Sequence, residues 1–181
     1  MKTESTVKYV LRLALTLLAI TAVVAAALAG VNSVTAPAIA ELTAQKTQEA
    51  IELVLPGGGE EVDFPETALV SKVYASDTGY AVEVTPGGFD NTITMMVGVD
   101  LNSNVLGIDI IKHTETAGLG AVSDAETPAG QSFRAQFVGT SGSVAVSKDG
   151  GALDAITGAT ITSRAVCAGV NAALACAATL G

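Results

Sequence analysis

Residues 13–31 form a run of 19 without a single charged side chain, and few folds that face water can absorb such a segment. At 1.5 Å rise per residue the run spans about 28 Å as a helix, enough to cross the hydrocarbon core of a bilayer. Lys2, Lys8 and Arg12 precede it against Glu4 alone. The positive-inside rule then keeps residues 1–12 in the cytoplasm and places everything after about residue 32 outside. A cleaved signal peptide is the alternative, because Ala27-Leu28-Ala29 fits a small-x-small cleavage site. The run exceeds a usual signal core, which favours an uncleaved anchor; both readings export the rest of the chain.

The exported part is acidic. The chain carries a formal charge of -9, and residues 13–181 hold all but one of its 18 acidic side chains. Such a surface repels a polyanion, and there is no Trp to stack on bases, so nucleic acid is excluded as a partner. Cys167 and Cys176 lie nine apart in an apolar segment and would face opposite sides of one helix. They read as two small buried hydrophobes, not as a disulfide or a metal site.

Residues 32–59 read as a helical stalk or linker, with a helix over 37–55 that Pro37 opens and Pro56-Gly57-Gly58-Gly59 ends. Ile39, Leu42, Ala50, Leu53 and Val54 form its loose apolar stripe. Residues 60–181 form the domain proper, beginning with an acidic loop over 60–66. Strands are predicted over 68–75, 80–85, 92–101 and 105–112. Ser76-Asp77-Thr78-Gly79 and Asn102-Ser103-Asn104 supply turns. Alternation of Ile93, Met95, Val97 and Val99 marks a core face. A loop over 118–130, a short helix over 132–138 and short strands over 144–147 and 153–156 come next. Residues 161–180 close the chain as a helix whose Val166, Val170 and Leu174 recur every four residues. The sum is an α+β domain: an antiparallel sheet with helices packed on one side.

Conventional catalytic equipment is sparse. His113 is the sole histidine, and neither Gly-x-Ser-x-Gly nor a Gly-Lys-Ser/Thr phosphate loop occurs. Two segments stand out instead. Asp154-Ala155-Ile156-Thr157-Gly158-Ala159-Thr160 ends an apolar run just before the last helix. Free N–H groups and the positive helix dipole make that place a seat for phosphate. Read alone, Thr160 is first an N-cap, its hydroxyl accepting from an N–H two or three residues on. His113-Thr114-Glu115-Thr116-Ala117-Gly118-Leu119-Gly120 leaves a strand into a loop whose two glycines let backbone approach a planar ligand.

Together with Ser132-Phe133-Arg134-Ala135-Gln136-Phe137-Val138-Gly139 and the continuation Ile161-Thr162-Ser163-Arg164-Ala165-Val166, these segments resemble a known family. It is the FMN-binding domain of the G subunit of the Rnf electron-transport complex, shared with the C subunit of sodium-translocating NADH:quinone reductase. Ala117 stands where that family usually has proline. The resemblance implies FMN joined through its phosphate to Thr160 by a flavin transferase that uses FAD. On that reading Thr157, Gly158, Ala159 and Ile161 belong to the cofactor-binding segment, and Gly158 and Ala159 leave room for the transferase to reach the hydroxyl. The N–H groups of Thr162 and Ser163 meet the phosphodiester, and Arg164 pairs with its charge. Asp154 helps present the segment to the transferase. Leu119, with His113, Gly118 and Gly120 in the same loop, packs near the isoalloxazine edge, and Glu115 and Thr116 hydrogen-bond the flavin or brace the loop. The implied role is electron relay in a ferredoxin:NAD oxidoreductase that moves sodium or protons. Its partners are integral membrane subunits, met partly through Ala25, Ala26, Ala29 and Gly30. The quinone reductase subunit and an exported module in which Thr160 is only a cap are the rival readings.

Overall fold

In a computed structural model of the chain, residues 2–65 and 67–181 are described, with side chains from residue 6 onward. Lys2 and Glu4, which flank the apolar run, therefore have side chains outside the described set, and Glu66 of the acidic loop lies outside it too. The chain divides after Leu42 into two units.

One helix, α1, covers Lys2–Val54 and crosses that division. It overturns the expectation of a separate helix starting at Pro37, which lies inside α1. Proline costs a helix interior about 3 kcal/mol in water by removing one hydrogen bond. Ala36, Ala38 and Ala40 around it are strong helix formers, and no charge interrupts the chain between Arg12 and Glu41. In the first unit the apolar side chains face outward on all sides: Leu13, Leu17, Ile20, Val23, Leu28 and Val34 are all exposed. A helix apolar all round needs an apolar surrounding. Its hydroxyls turn inward to the backbone. Thr16 donates to the Leu13 carbonyl at 2.9 Å, Thr21 to that of Leu17 at 2.9 Å, and Ser33 to that of Gly30 at 2.8 Å. Polar groups so satisfied suit a medium without water.

In the second unit five strands form an antiparallel sheet in chain order: β1 (Glu60–Glu61), β2 (Val70–Ser76), β3 (Gly79–Val84), β4 (Thr94–Asp100) and β5 (Val105–Lys112). Val82 stands opposite Val97, and Val97 opposite Ile108, so like side chains stack across the sheet. Asp100 ties the β4–β5 turn by accepting from the N–H groups of Asn102 (2.8 Å) and Asn104 (2.7 Å). Val73, Val82, Val84, Met95, Val97, Val99 and Ile108 point to the main core with the last helix (Thr160–Leu180). Val166, Val170 and Leu174 of that helix are buried there, as their spacing predicts.

The opposite face is covered too. Ala81, Met96 and Ile111 pack with Ala50, Ile51, Val54 and Leu55 at the end of α1. The sheet thus carries helix on both faces, which corrects the one-sided expectation. The buried stripe of α1 is formed by Ala50, Ile51 and Val54, while Leu53 is exposed. The reason is visible at Gly98, where an added Cβ would fall on the Val54 carbonyl oxygen and lie 2.9 Å from the Val54 Cβ. Helix and strand touch backbone to backbone. Gly98→Val should therefore cost about 3 kcal/mol, at the upper end for overpacking a core, read as a lowered urea midpoint.

After β5 the chain forms a short 3-10 turn (Gly120–Ser123) and helix α2 (Pro128–Ala135). Helix α2 begins four residues earlier than expected because Thr127 caps it, accepting from the Gly130 N–H at 3.3 Å. Phe133 and Phe137 still meet, edge to face with centroids 5.4 Å apart. The strands expected over 144–147 and 153–156 reduce to a single parallel bridge between Val146 and Leu153, around a 3-10 turn (Ser147–Asp149). So short a connection leaves no room for a regular crossover. The helix over Thr160–Leu180, α3, ends the chain. Its Cys167 and Cys176 are free and buried, and burial pushes the Cys167 thiol up to about 11. Neither should react with iodoacetamide at pH 8 in the native state, and both should in denaturant; native labelling would contradict this packing.

Candidate functional site

Helix α3 starts without a side-chain cap. Ala159 occupies the N-cap position at φ -127° and ψ 46°, and Thr160 is the first helical residue. The Thr160 hydroxyl therefore caps nothing; it accepts from Lys148 Nζ at 3.1 Å. The first intrahelical bond runs from the Ser163 N–H to the Ala159 carbonyl at 3.0 Å. That leaves the N–H groups of Thr160, Ile161 and Thr162 without intrahelical acceptors. The expectation that the Ser163 N–H faces a phosphate is corrected accordingly, because that donor is committed.

Ser163 works inward. Its hydroxyl donates to the Ala159 carbonyl and accepts from the Ile156 N–H, both at 3.0 Å. With Gly158 at φ +78° the pair folds residues 156–160 into a tight turn. Gly158 also lies against Leu119, whose Cδ2 is 2.9 Å from where a Cβ would stand. The turn and the 113–120 loop are thereby in contact.

Glu115 joins the remaining pieces. It is buried, and its Oε1 accepts from the backbone of Phe89 at 2.8 Å and Asp90 at 3.4 Å. Its Oε2 accepts from the Thr162 hydroxyl. A side chain at Gly120 would collide with this carboxylate and come within 2.6 Å of Thr162 Oγ1, so glycine is required there. The three partners occupy Glu115 from inside the protein, which makes it a brace of the loop. His113 Nδ1 accepts from the Glu115 N–H at 3.2 Å, and its Nε2 lies 3.6 Å from Asp124. His113 thus fixes the base of the loop.

A cleft of about 260 Å³ opens between these parts. Of the expected site residues it brings together Glu115, Thr116, Leu119, Gly120, Gly158, Ala159, Thr160, Ile161 and Thr162. His113, Ser163 and Arg164 do not line it. Arg164 is turned away, donating from Nε and Nη2 to Asp149 at 2.7 and 2.6 Å. The expected pairing of Arg164 with phosphate is therefore not the geometry seen. The same bond holds the Asp149 carboxyl below its ordinary range. A depressed folded value means the clamp is intact above about pH 4 and is lost as pH falls through the depressed value.

Gly118, Asp154 and Thr157 line a neighbouring cleft of about 370 Å³ with Phe133 and Gln136. Gln136 fixes Asp154 by its backbone, accepting from its N–H at 2.7 Å, while Asp154 itself stays exposed. Two lining residues of the first cleft escape the sequence reading: Phe89 and Lys148. Each sits beside glycines, in Gly87-Gly88-Phe89 and Lys148-Asp149-Gly150, and so reads as turn. Nothing in their spacing links them to residue 160.

The cleft has an apolar side (Phe89, Leu119, Ile161) and a polar end (Thr160 at the start of α3, and Lys148). That pairing fits a group with a flat apolar body and a phosphate tail. Residues 88–175 match the FMN-binding domain, which defines the class of protein. Over nearly its whole length the chain is also similar to the G subunits of two complexes. It is 33% identical to the G subunit of the ion-translocating oxidoreductase complex of Methanosarcina acetivorans, covering 92% of this chain and 94% of that one. It is 34% identical to the G subunit of the Na(+)-translocating ferredoxin:NAD(+) oxidoreductase complex of Acetobacterium woodii, covering 91% and 89%. The G subunit of the Yersinia pestis ion-translocating oxidoreductase complex is 35% identical over 80% of this chain and 79% of its own. The chain belongs to the G-subunit family of Rnf-type ion-translocating oxidoreductase complexes.

Proposed function

We propose that this chain is the electron-relay subunit of an Rnf-type ferredoxin:NAD oxidoreductase coupled to sodium or proton movement, with FMN held as a phosphoester on Thr160. The observation that carries the attachment is the Thr160 hydroxyl itself. It opens onto the cleft, has no capping duty, and lies beside Lys148 and unpaired helix N–H groups. The FMN would supply reversible electron transfer; the protein supplies position and a local field. Relay needs no acid–base residue, in keeping with a cleft whose one carboxylate, Glu115, is engaged internally. Leu119, Ile161 and Phe89 would pack against the ring system, and the N–H groups of Thr160, Ile161 and Thr162 would face the phosphate.

In the attachment step the Thr160 oxygen forms a bond to the FMN phosphorus of FAD. The bond from that phosphorus to the adenylate oxygen breaks, AMP leaves, and the hydroxyl proton passes to a base of the transferase. Exposed Asp154, held by its backbone to Gln136, would be a recognition point for that enzyme. Residues 13–31 would cross the membrane once, with residues 1–12 cytoplasmic and the rest outside, residues 50–55 belonging to the domain whose sheet they cover. Small Ala25, Ala26, Ala29 and Gly30 would meet integral membrane subunits of the complex.

Co-expression of the full chain with a flavin transferase tests the attachment. The denatured protein should run as a fluorescent band and gain the mass of FMN less water, on the peptide containing Thr160. A band with neither fluorescence nor added mass would overturn the reading.

A further inference from the structure

We propose that Lys148 is the positioning residue for the phosphate group on Thr160, the counter-ion that the sequence motif itself lacks. The inference rests on the flavin reading of Thr160. Lys148 comes from a different part of the chain, yet its Nζ lies 3.1 Å from Thr160 Oγ1. A long side chain gives up rotamer freedom to stay there, a cost of about the size that one bond to a hydroxyl returns. A phosphodiester on that oxygen would set its charged non-bridging oxygens beside Nζ and turn a bond to a neutral acceptor into an ion pair.

The surroundings hold Lys148 at this spot. Its 3-10 turn is fastened to the segment that leads into the motif, with the Ser147 N–H donating to the Leu153 carbonyl at 2.7 Å. It is fastened to α3 by the bidentate Arg164–Asp149 pair. A side chain at Gly151 would strike the Ala145 carbonyl, so the turn lies flat on the chain before it. The two cations of the region thus divide their work. Arg164 is neutralised by Asp149, while Lys148 has no carboxylate within ion-pair distance among the described residues. Glu115 already places one negative charge at the cleft floor, and a phosphodiester adds another. Lys148 is the lining side chain able to offset it.

The test compares wild type, Lys148→Gln, Lys148→Arg and Thr160→Ala as full chains co-expressed with a flavin transferase. Intact mass gives the rate of FMN loading, and time-resolved anisotropy gives the mobility of the bound flavin. Lys148→Gln should load about ten-fold more slowly, the effect of one charge-assisted bond, and hold a more mobile flavin. Lys148→Arg should restore most of both, and all variants should keep the wild-type thermal midpoint. Salt should loosen the flavin of wild type and leave that of Lys148→Gln unchanged. If Thr160→Ala loses the flavin while Lys148→Gln loads and holds it as wild type does, the role of Lys148 is refuted and the attachment stands. If Thr160→Ala keeps its flavin, the attachment site falls, and the role of Lys148 with it.

Discussion

Thr160→Ala should abolish the covalent flavin completely while leaving the fold intact, and Thr160→Ser should retain both. The contrast arises from where the hydroxyl stands. As an N-cap, Thr160 would contribute about 1 kcal/mol to stability, and its loss would lower the denaturation midpoint. Here Ala159 holds the cap position and Thr160 Oγ1 bonds only outward, to Lys148, among the contacts seen. A substitution at such a surface contact should change stability by less than about 0.5 kcal/mol. A gel band without fluorescence, combined with an unchanged urea midpoint, is the expected pair of results. A lowered midpoint with fluorescence retained would instead make Thr160 an ordinary helix start.

Glu115→Ala should do the reverse, harming the fold first and the flavin as a consequence. It would strip acceptors from the N–H groups of Phe89 and Asp90 and from the Thr162 hydroxyl, which is buried. Leaving such donors unpaired costs about 1–3 kcal/mol each, less where water reaches them. An overall loss of about 3 kcal/mol is expected, a large part of the stability of a domain this size. Glu115→Gln should lose only about 1 kcal/mol, because the amide oxygen still accepts and the Thr162 hydroxyl can rotate to accept from the amide nitrogen. An alanine variant as stable as wild type would show that Glu115 does not brace the loop.

Both predictions concern residues that are legible in the sequence, though not in their roles. Glu115 and Thr162 are 47 positions apart, and no periodicity connects them. The β4–β5 hairpin is legible because alternation and a polar turn are local signals. The end of α1 against the second sheet face is harder to see. Ile51 and Val54 look like any helix stripe until Gly98 is known to admit the helix backbone. Arg164 shows the opposite error. One turn into the helix it looks free to meet a phosphate, but Asp149 arrives from the preceding turn and engages its Nε and Nη2.

Elements with local causes can be read along the chain without any knowledge of its folding. Those are the apolar run over 13–31, the alternating strands, the last helix read over 161–180, and the motif threonine just before it. The family is readable in the same way, through short stretches in a fixed order. Which groups converge on Thr160 is settled only when the chain folds. Lys148, Phe89 and Glu115 reach the cleft from separate turns and a separate loop. Hydrogen bonds between distant segments set their positions, and such bonds leave no spacing to read in the sequence.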